Sequence, residues 1–333
     1  MKPPLIEIRG LTVDFETDNG RTIRALHGID LTIERDTALG LVGESGSGKS
    51  ITWLAALGLL GGRARIGGMV TFDGEPLIGA PVQALEAVRG RRIAMIFQDP
   101  SSSLNPVHTV GHQLGEALRL HRGLDAGAAA IEARHLLDRV GIAGAARRLQ
   151  DYPHQLSGGT NQRVMIAMAL AGQPDVLIAD EPTTALDATI QAQILDLLRE
   201  IRRDTGMALV LISHDLGVVA ENTDQVAVMY AGRIVETALI DELFDRPRHP
   251  YTRGLLAALP DLDGPRRPLR AIPGTVPEPG RLPAGCSFAP RCDEADAACA
   301  ATRPSLRMID PDHVAACHHA TSIAAVERLE RRA

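Results

Sequence analysis

Aromatic side chains make up only 3% of the 333 residues, too few for a surface that stacks the bases of single-stranded nucleic acid. Long hydrophobic runs are also scarce: the longest, residues 51–60, falls far short of the roughly 18 apolar residues that suggest a spanning helix. Met1-Lys2-Pro3-Pro4 leads straight into an alternating, strand-like pattern with no apolar signal region, so the chain is expected in the cytosol, and any membrane work needs another chain to span. Positive charge is not in excess, 35 Lys and Arg against 41 Asp and Glu, and the net charge of −6 weighs against a nucleic-acid backbone as the main partner. There is no internal repeat and no heptad run. Cysteine is absent before Cys286, and all four fall between Cys286 and Cys317. A reducing cytosol disfavours disulfides, so this cluster reads first as a metal site. With 45% hydrophobic and 23% charged residues, the chain can bury one large domain and a smaller one.

What is present is organised around Gly43-Glu44-Ser45-Gly46-Ser47-Gly48-Lys49-Ser50, a GxxxxGK[ST] phosphate loop after the apolar run Ala38-Leu39-Gly40-Leu41-Val42. Its glycines let the backbone wrap around an anion, and the helix expected to begin near Lys49 points its free N–H groups at the same place. Lys49 would reach the β and γ phosphates and the Ser50 hydroxyl would ligate Mg²⁺, with Ile51 closing the nucleotide-binding stretch. A ligand-free glycine-rich turn is the weaker reading, because a chance match in a chain this long has odds on the order of one in a hundred.

Residues 5–15 and 22–34 read as strands split by the turn Thr17-Asp18-Asn19-Gly20. A helix should follow the loop to about residue 60, be broken by the glycine-rich stretch 61–68, and give way to strands at 69–72 and 92–97. From 98 to about 156 the pattern is helical and reads as an inserted subdomain. An α/β pattern then resumes, with helices at 159–170 and 188–203 and strands at 176–179, 208–213, 226–230 and 233–236. Proline-rich stretches at 260–268 and 273–283 preclude regular structure, a boundary is expected near 243, and a last helix near 323–332 would be a solvated end. The expected division is 1–243 and 244–333.

The strand Val176-Leu177-Ile178-Ala179-Asp180-Glu181 ends in two acids. Asp180 suits the Mg²⁺ shell and Glu181 suits the water that attacks the γ-phosphate, although acids at a strand end before Pro182 are also common as helix N-terminal residues. Upstream, Leu156-Ser157-Gly158-Gly159-Thr160-Asn161-Gln162-Arg163 opens a helix and offers a second anion site. The phosphate loop, Gln98 after a strand, LSGG, the Asp-Glu strand end, Ala185-Leu186-Asp187 and His214 in Leu211-Ile212-Ser213-His214-Asp215 occur in the order of the motifs of an ABC-transporter ATPase subunit, which residues 5–240 resemble.

That resemblance implies an α/β P-loop ATPase, a RecA-like core carrying an antiparallel β-subdomain and an inserted helical subdomain. It also implies a head-to-tail dimer in which Ser157, Gly158 and Gly159 complete the partner's ATP site and Asp187 lies at the seam. Ser50, Gln98 and Asp180 would attend Mg²⁺, Gln98 would link nucleotide to helical subdomain, Glu181 would serve as base, and His214 would contact the γ-phosphate. Phe15 is the candidate for stacking on adenine, a core phenylalanine being the alternative. Thr160-Asn161 departs from the pair frequent after LSGG.

Further on, Arg248-His249-Pro250-Tyr251-Thr252, Leu255-Leu256-Ala257-Ala258-Leu259-Pro260 and Gly285-Cys286-Ser287-Phe288-Ala289-Pro290-Arg291-Cys292 resemble the tail of ATPases in the peptide/nickel branch of ABC importers, dipeptide and oligopeptide permeases above all. The resemblance implies a second, different ATPase chain, two membrane permeases, an external peptide-binding protein, and residence on the cytoplasmic face of the cell membrane. Nickel chelate or glutathione is the alternative cargo, and a soluble ATPase acting on ribosomes or DNA the alternative class. Cys286, Cys292, Cys299 and Cys317 lack the close pair usual in zinc sites, and relatives with this pattern carry a 4Fe-4S cluster, so that cluster is expected, with zinc the alternative and free thiols the third reading. His313, His318 and His319 read as exposed tail histidines that could otherwise replace a thiolate.

Overall fold

The computed structural model describes residues 3–99, 103–184, 186–259 and 271–321. Ala185, the 260–268 stretch, the start of the helical region at 100–102 and the helix expected near 323–332 lie outside them. Among the described residues the strands are β1 (Ile6–Glu16), β2 (Thr22–Ile33), β3 (Ala38–Val42), β4 (Ala64–Phe72), β5 (Glu75–Pro76), β6 (Ile93–Ile96), β7 (Val176–Asp180), β8 (Ala208–Ser213), β9 (Gln225–Tyr230), β10 (Arg233–Leu239), β11 (Arg307–Asp310) and β12 (His313–Ala315). The α-helices are α1 (Lys49–Ala56), α2 (Val82–Val88), α3 (Val110–Arg122), α4 (Ala126–Arg139), α5 (Ala145–Arg148), α6 (Gly158–Leu170), α7 (Ala188–Thr205), α8 (Leu216–Asn222), α9 (Ile240–Asp245), α10 (Pro250–Ala257) and α11 (Ala297–Ala301).

The chain forms two compact units. The first comprises Met1–Ile33, Ala38–Ile78 and Ser213–Ala333. In it, β1 pairs antiparallel with β2 and β4, giving the sheet β2-β1-β4-β5. Ile6, Ile8, Leu11 and Val13 of β1 are buried, the alternation of a half-covered strand interrupted by a register shift around Arg9 and Gly10. A second set of strands runs β3, parallel to β9, then β10, β12 and β11, each antiparallel to the last. All five residues of β3 are buried, as expected of a strand covered on both faces.

Two expectations need correction here. The helix after the loop stops at Ala56 rather than near residue 60, because Gly58 takes the left-handed conformation at φ 62° and the Leu59 and Gly58 N–H groups return to Leu54 O and Ala55 O at 2.8 and 3.0 Å. The glycines at 67 and 68 do not break structure but lie inside β4. A Cβ on Gly68 would meet Gly10 O at 2.4 Å, so these glycines allow close approach of β1 at its irregularity.

The second unit comprises Glu34–Thr37 and Gly79–Ile212. Parallel β6, β7 and β8 pair in the order β6-β7-β8, with Ile93 opposite Val176 and Val176 opposite Ala208. Val176 to Asp180 are all buried. The helices of this unit are locally encoded: Thr109, Asp125, Ser157 and Asp187 cap α3, α4, α6 and α7 with their side chains, and Gly123 and Gly206 close α3 and α7 in the left-handed conformation. α3 packs on α4 and both pack on α6, and Leu114, Leu118, Leu136 and Leu137 are all buried, none more than 5% exposed.

Candidate functional site

In the first unit the phosphate loop turns on glycines whose backbone conformation disfavours a side chain. A Cβ on Gly43, at φ 155°, would lie 2.1 Å from Met229 O, and one on Gly48, at φ 104°, would lie 2.7 Å from Leu26 Cδ2. α1 begins at Lys49, so its first N–H groups face back over the loop. Lys49 is buried, and its ammonium donates to Gly43 O at 2.7 Å and Glu44 O at 3.1 Å. The Ser47 hydroxyl is buried with no protein partner, and Ser45 and Gly46 are exposed. An orphaned hydroxyl, a buried lysine and a helix N-terminus around one bend fit the phosphates of a nucleotide, with Ser50 and Ile51 half-buried on the first turn.

Glu44 has work of a different kind. Its backbone N–H donates to Tyr251 Oη at 2.9 Å, and its carboxylate accepts from both Nη groups of Arg291 at 2.9 and 3.1 Å. No sequence pattern links residue 44 to residues 251 and 291. Phe15 is half-buried on β1, opposite Ile23 and Ala64. His214 is exposed just beyond β8.

In the second unit the buried strand β7 delivers Asp180, 5% exposed, and then Glu181, whose backbone is left-handed at φ 46°. Such a φ is costly for a residue with a Cβ and is held here by the Glu181 N–H bond to Ile212 O at 3.0 Å. The Glu181 carboxylate accepts from Gln98 Nε2 at 3.1 Å and Thr184 Oγ1 at 2.9 Å, which joins two of the expected site residues and adds Thr184, which the sequence reading missed. A threonine three residues after an acid is no signal by itself, and the left-handed turn at Glu181 is what brings this hydroxyl back to the carboxylate. A carboxylate aimed by an amide and a hydroxyl can accept a proton from water or fix its orientation.

Ser157 caps α6, its Oγ accepting from Thr160 N at 3.3 Å and lying 2.8 Å from Thr160 Oγ1. Ser157 and Gly158 are exposed at this helix start, and a Cβ on Gly159 would lie 2.9 Å from Ile190 Cγ2. Asn161 donates to Pro153 O at 2.9 Å, a local tie that accounts for one of the two residues departing from the usual pair. Asp187 accepts from Ile190 N at 3.0 Å as the cap of α7.

The four cysteines are all free thiols and line one small cavity, beside Phe288, Pro304 and His319. Cys286 N–H bonds Cys299 O at 2.8 Å, tying the two ends of this segment. Burial pushes the thiols of Cys292, Cys299 and Cys317 upward, so a metal binding there must displace their protons. Convergence of four unpaired thiols fits a thiolate-held group. Among the described residues, however, the set with ligand atoms all within 4.8 Å is Asp296, Cys299 and His319, and Cys299 Sγ lies 3.6 Å from His319 Nε2. One tail histidine departs from expectation: His313 is fully buried, 2.7 Å from a carboxylate oxygen of Glu236. The hairpin β11–β12 carries it into the core.

These features define a nucleotide-binding cassette followed by a thiol-bearing tail. Residues 26–184 match the ABC transporter family and residues 235–299 the oligopeptide/dipeptide transporter C-terminal region. A Brucella abortus protein named as a peptide import ATP-binding protein is 54% identical over 92% of this chain and 92% of its own length. A Brucella melitensis protein of the same description is 47% identical over 97% of this chain and 99% of its own. Among solved structures, cbiO1 from Clostridium perfringens, part of the ABC transporter complex cbiONQ, matches with TM-score 0.62 and 27% identity, covering 74% of this chain and 92% of that one. The cassette MJ0796, a dimer in a post-hydrolysis state bound to ADP and Pi, matches with TM-score 0.63 and 26% identity, covering 71% of this chain and 98% of that one. The chain belongs to the ABC transporter ATP-binding family, and it is an ATPase of that type. Among the described residues no helix is long and apolar enough to cross a membrane.

Proposed function

We propose that this chain powers peptide import as an ATP-hydrolysing subunit bound to the cytoplasmic face of membrane permeases. The observation that carries this reading is the joint match, an ABC cassette over 26–184 followed by an oligopeptide/dipeptide transporter region over 235–299 in one chain. The relatives named for peptide import support the cargo, and the tail match weighs against a soluble ATPase serving ribosomes or DNA.

In this reading Gly43 to Ile51 bind the phosphates, Lys49 neutralises them, Ser50, Gln98 and Asp180 attend Mg²⁺, and Glu181 orients the attacking water with His214 at the γ-phosphate. Mg²⁺ supplies charge neutralisation between the phosphates when bound. Phe15 stacks on adenine. Ser157, Gly158, Gly159 and Asp187 serve the site of a second, homologous ATPase chain in a head-to-tail pair, and two permeases and an external peptide-binding protein complete the machine. Cys286, Cys292, Cys299 and Cys317 hold a 4Fe-4S cluster, the exposure of Ser157 and the shared cavity of the four thiols being what supports these last two points.

The test is uptake of a labelled dipeptide, with nickel in parallel, in cells lacking the chain and rescued by wild type or Glu181→Gln. Dipeptide uptake restored by wild type alone supports the reading, and nickel uptake alone overturns the cargo. Purified Glu181→Gln should bind ATP and turn over about 10²-fold or more slowly; near-normal turnover contradicts its role. Iron and sulfide assays on anaerobically purified protein test the cluster, and zinc without sulfide refutes it.

A further inference from the structure

We infer that Arg291 and Tyr251 are positioning residues for the phosphate loop, and that through them the cysteine-bearing segment sets how well the loop takes a nucleotide.

The loop residue Glu44 is gripped on three sides. Its N–H donates to Tyr251 Oη at 2.9 Å, its carboxylate takes a two-pronged bond from Arg291, and its carbonyl accepts from the Lys49 ammonium at 3.1 Å. Tyr251 is fully buried, and the Arg291 side chain is only 6% exposed. Arg291 spends its other donors on the same neighbourhood, Nε on Pro273 O at 2.7 Å and Nη1 toward Tyr230 Oη at 3.4 Å. Its guanidinium carbon sits 5.8 and 5.9 Å from the ring centres of Tyr230 and Phe288, and Tyr230 packs at 4.7 Å from Tyr251.

A buried ion pair is a poor source of stability compared with apolar packing, whereas a planar fork on a carboxylate fixes geometry closely. Here the geometry fixed is that of the Glu44 peptide, whose carbonyl in turn holds the ammonium of Lys49. Arg291 immediately precedes Cys292, and Phe288 lies between Cys286 and Cys292. Movement of that segment therefore reaches Lys49 through two contacts, Arg291 to Glu44 and Glu44 to Lys49. This inference rests on ATP binding at the loop and does not depend on the cargo or on which group the thiols hold.

The experiment uses the purified full chain. Tyr251→Phe removes only the acceptor oxygen, Arg291→Lys keeps the charge without the fork, and Glu44→Gln, Arg291→Gln and their double variant form a cycle. Each is read by the KM and kcat of ATP hydrolysis, by the Kd of a fluorescent ATP analogue, and by amide hydrogen exchange of the 43–49 segment. KM and Kd should rise about tenfold in Tyr251→Phe and Arg291→Gln while kcat stays within about twofold, and the double variant should be no worse than its worse single parent. Exchange at the Glu44 amide should speed up about tenfold in Tyr251→Phe and also in Cys292→Ser. Unchanged nucleotide affinity in Tyr251→Phe, or a loss of kcat in step with a loss of folded protein, overturns the positioning role. Unchanged exchange in Cys292→Ser overturns the connection to the cysteine-bearing segment.

Discussion

Replacing Glu236 by alanine should cost the protein about 4 kcal/mol. This carboxylate, fully buried on β10, accepts Arg248 N–H at 2.5 Å, His249 N–H at 3.0 Å and the ring of His313 at 2.7 Å. Its removal strands the His249 N–H and the His313 imidazole in the interior and takes the acceptor from the N–H of half-buried Arg248. Each such orphan costs about 1–3 kcal/mol, and the breaking of one buried pair about 3–5 kcal/mol, so the two routes overlap near 4. Glu236→Gln keeps the shape but turns an NH₂ toward one of three donors, and should cost roughly half as much. Urea unfolding followed by the fluorescence of Trp53, the one tryptophan of the chain and fully buried in α1, reads out the unit to which β10 belongs. A midpoint shift equivalent to less than about 1 kcal/mol in Glu236→Ala would show that the carboxylate does not organise the approach to α10.

Two further outcomes follow from the same contacts. Gly43→Ala should abolish nucleotide binding, measured with a fluorescent ATP analogue, because its methyl would lie 2.1 Å from Met229 O, and retained affinity would mean the loop can shift. Stability should also depend on pH through His249, which burial pushes down to about 4 while its Nδ1 accepts the Tyr251 N–H at 3.0 Å. A folded pKa below the ordinary 6.5 means that the unfolded chain binds the extra proton. The His249 contribution is therefore full above about pH 6.5 and is lost as pH falls toward 4. Between pH 7 and 4.5 wild type should lose about 2 kcal/mol more than His249→Asn, an asparagine still being able to cap α10, and equal losses would contradict the assignment.

Much of this molecule is written locally. The apolar run before Gly43 and the run ending in Asp180 are strands because buried parallel strands need continuous apolar sequence, and the caps Thr109, Asp125, Ser157 and Asp187 announce their helices. The errors have physical causes. Gly67 and Gly68 read as a breaker because glycine weakens strands in general, yet here the close approach of β1 requires it. His313 read as an exposed tail residue because nothing in its neighbourhood foretells that a short hairpin will lay it on Glu236. Thr184 was overlooked because a hydroxyl becomes informative only once the left-handed turn at Glu181 brings it back to the carboxylate. Least legible was Arg291, whose partner Glu44 lies 247 residues away.

That separation carries a consequence for the life of the chain on the ribosome. The phosphate loop is made early, but β9, which pairs with β3, and the arginine that clasps Glu44 are made late. At about 5–20 residues per second, the loop waits roughly 10–50 s between its own synthesis and the arrival of Arg291. During that interval the nascent cassette holds its phosphate loop without the Arg291 contact to Glu44. A chain ending before residue 291 would lack the Arg291 contact to Glu44, so its loop is expected to take a nucleotide more weakly than that of the full chain, which a fluorescent ATP analogue would measure.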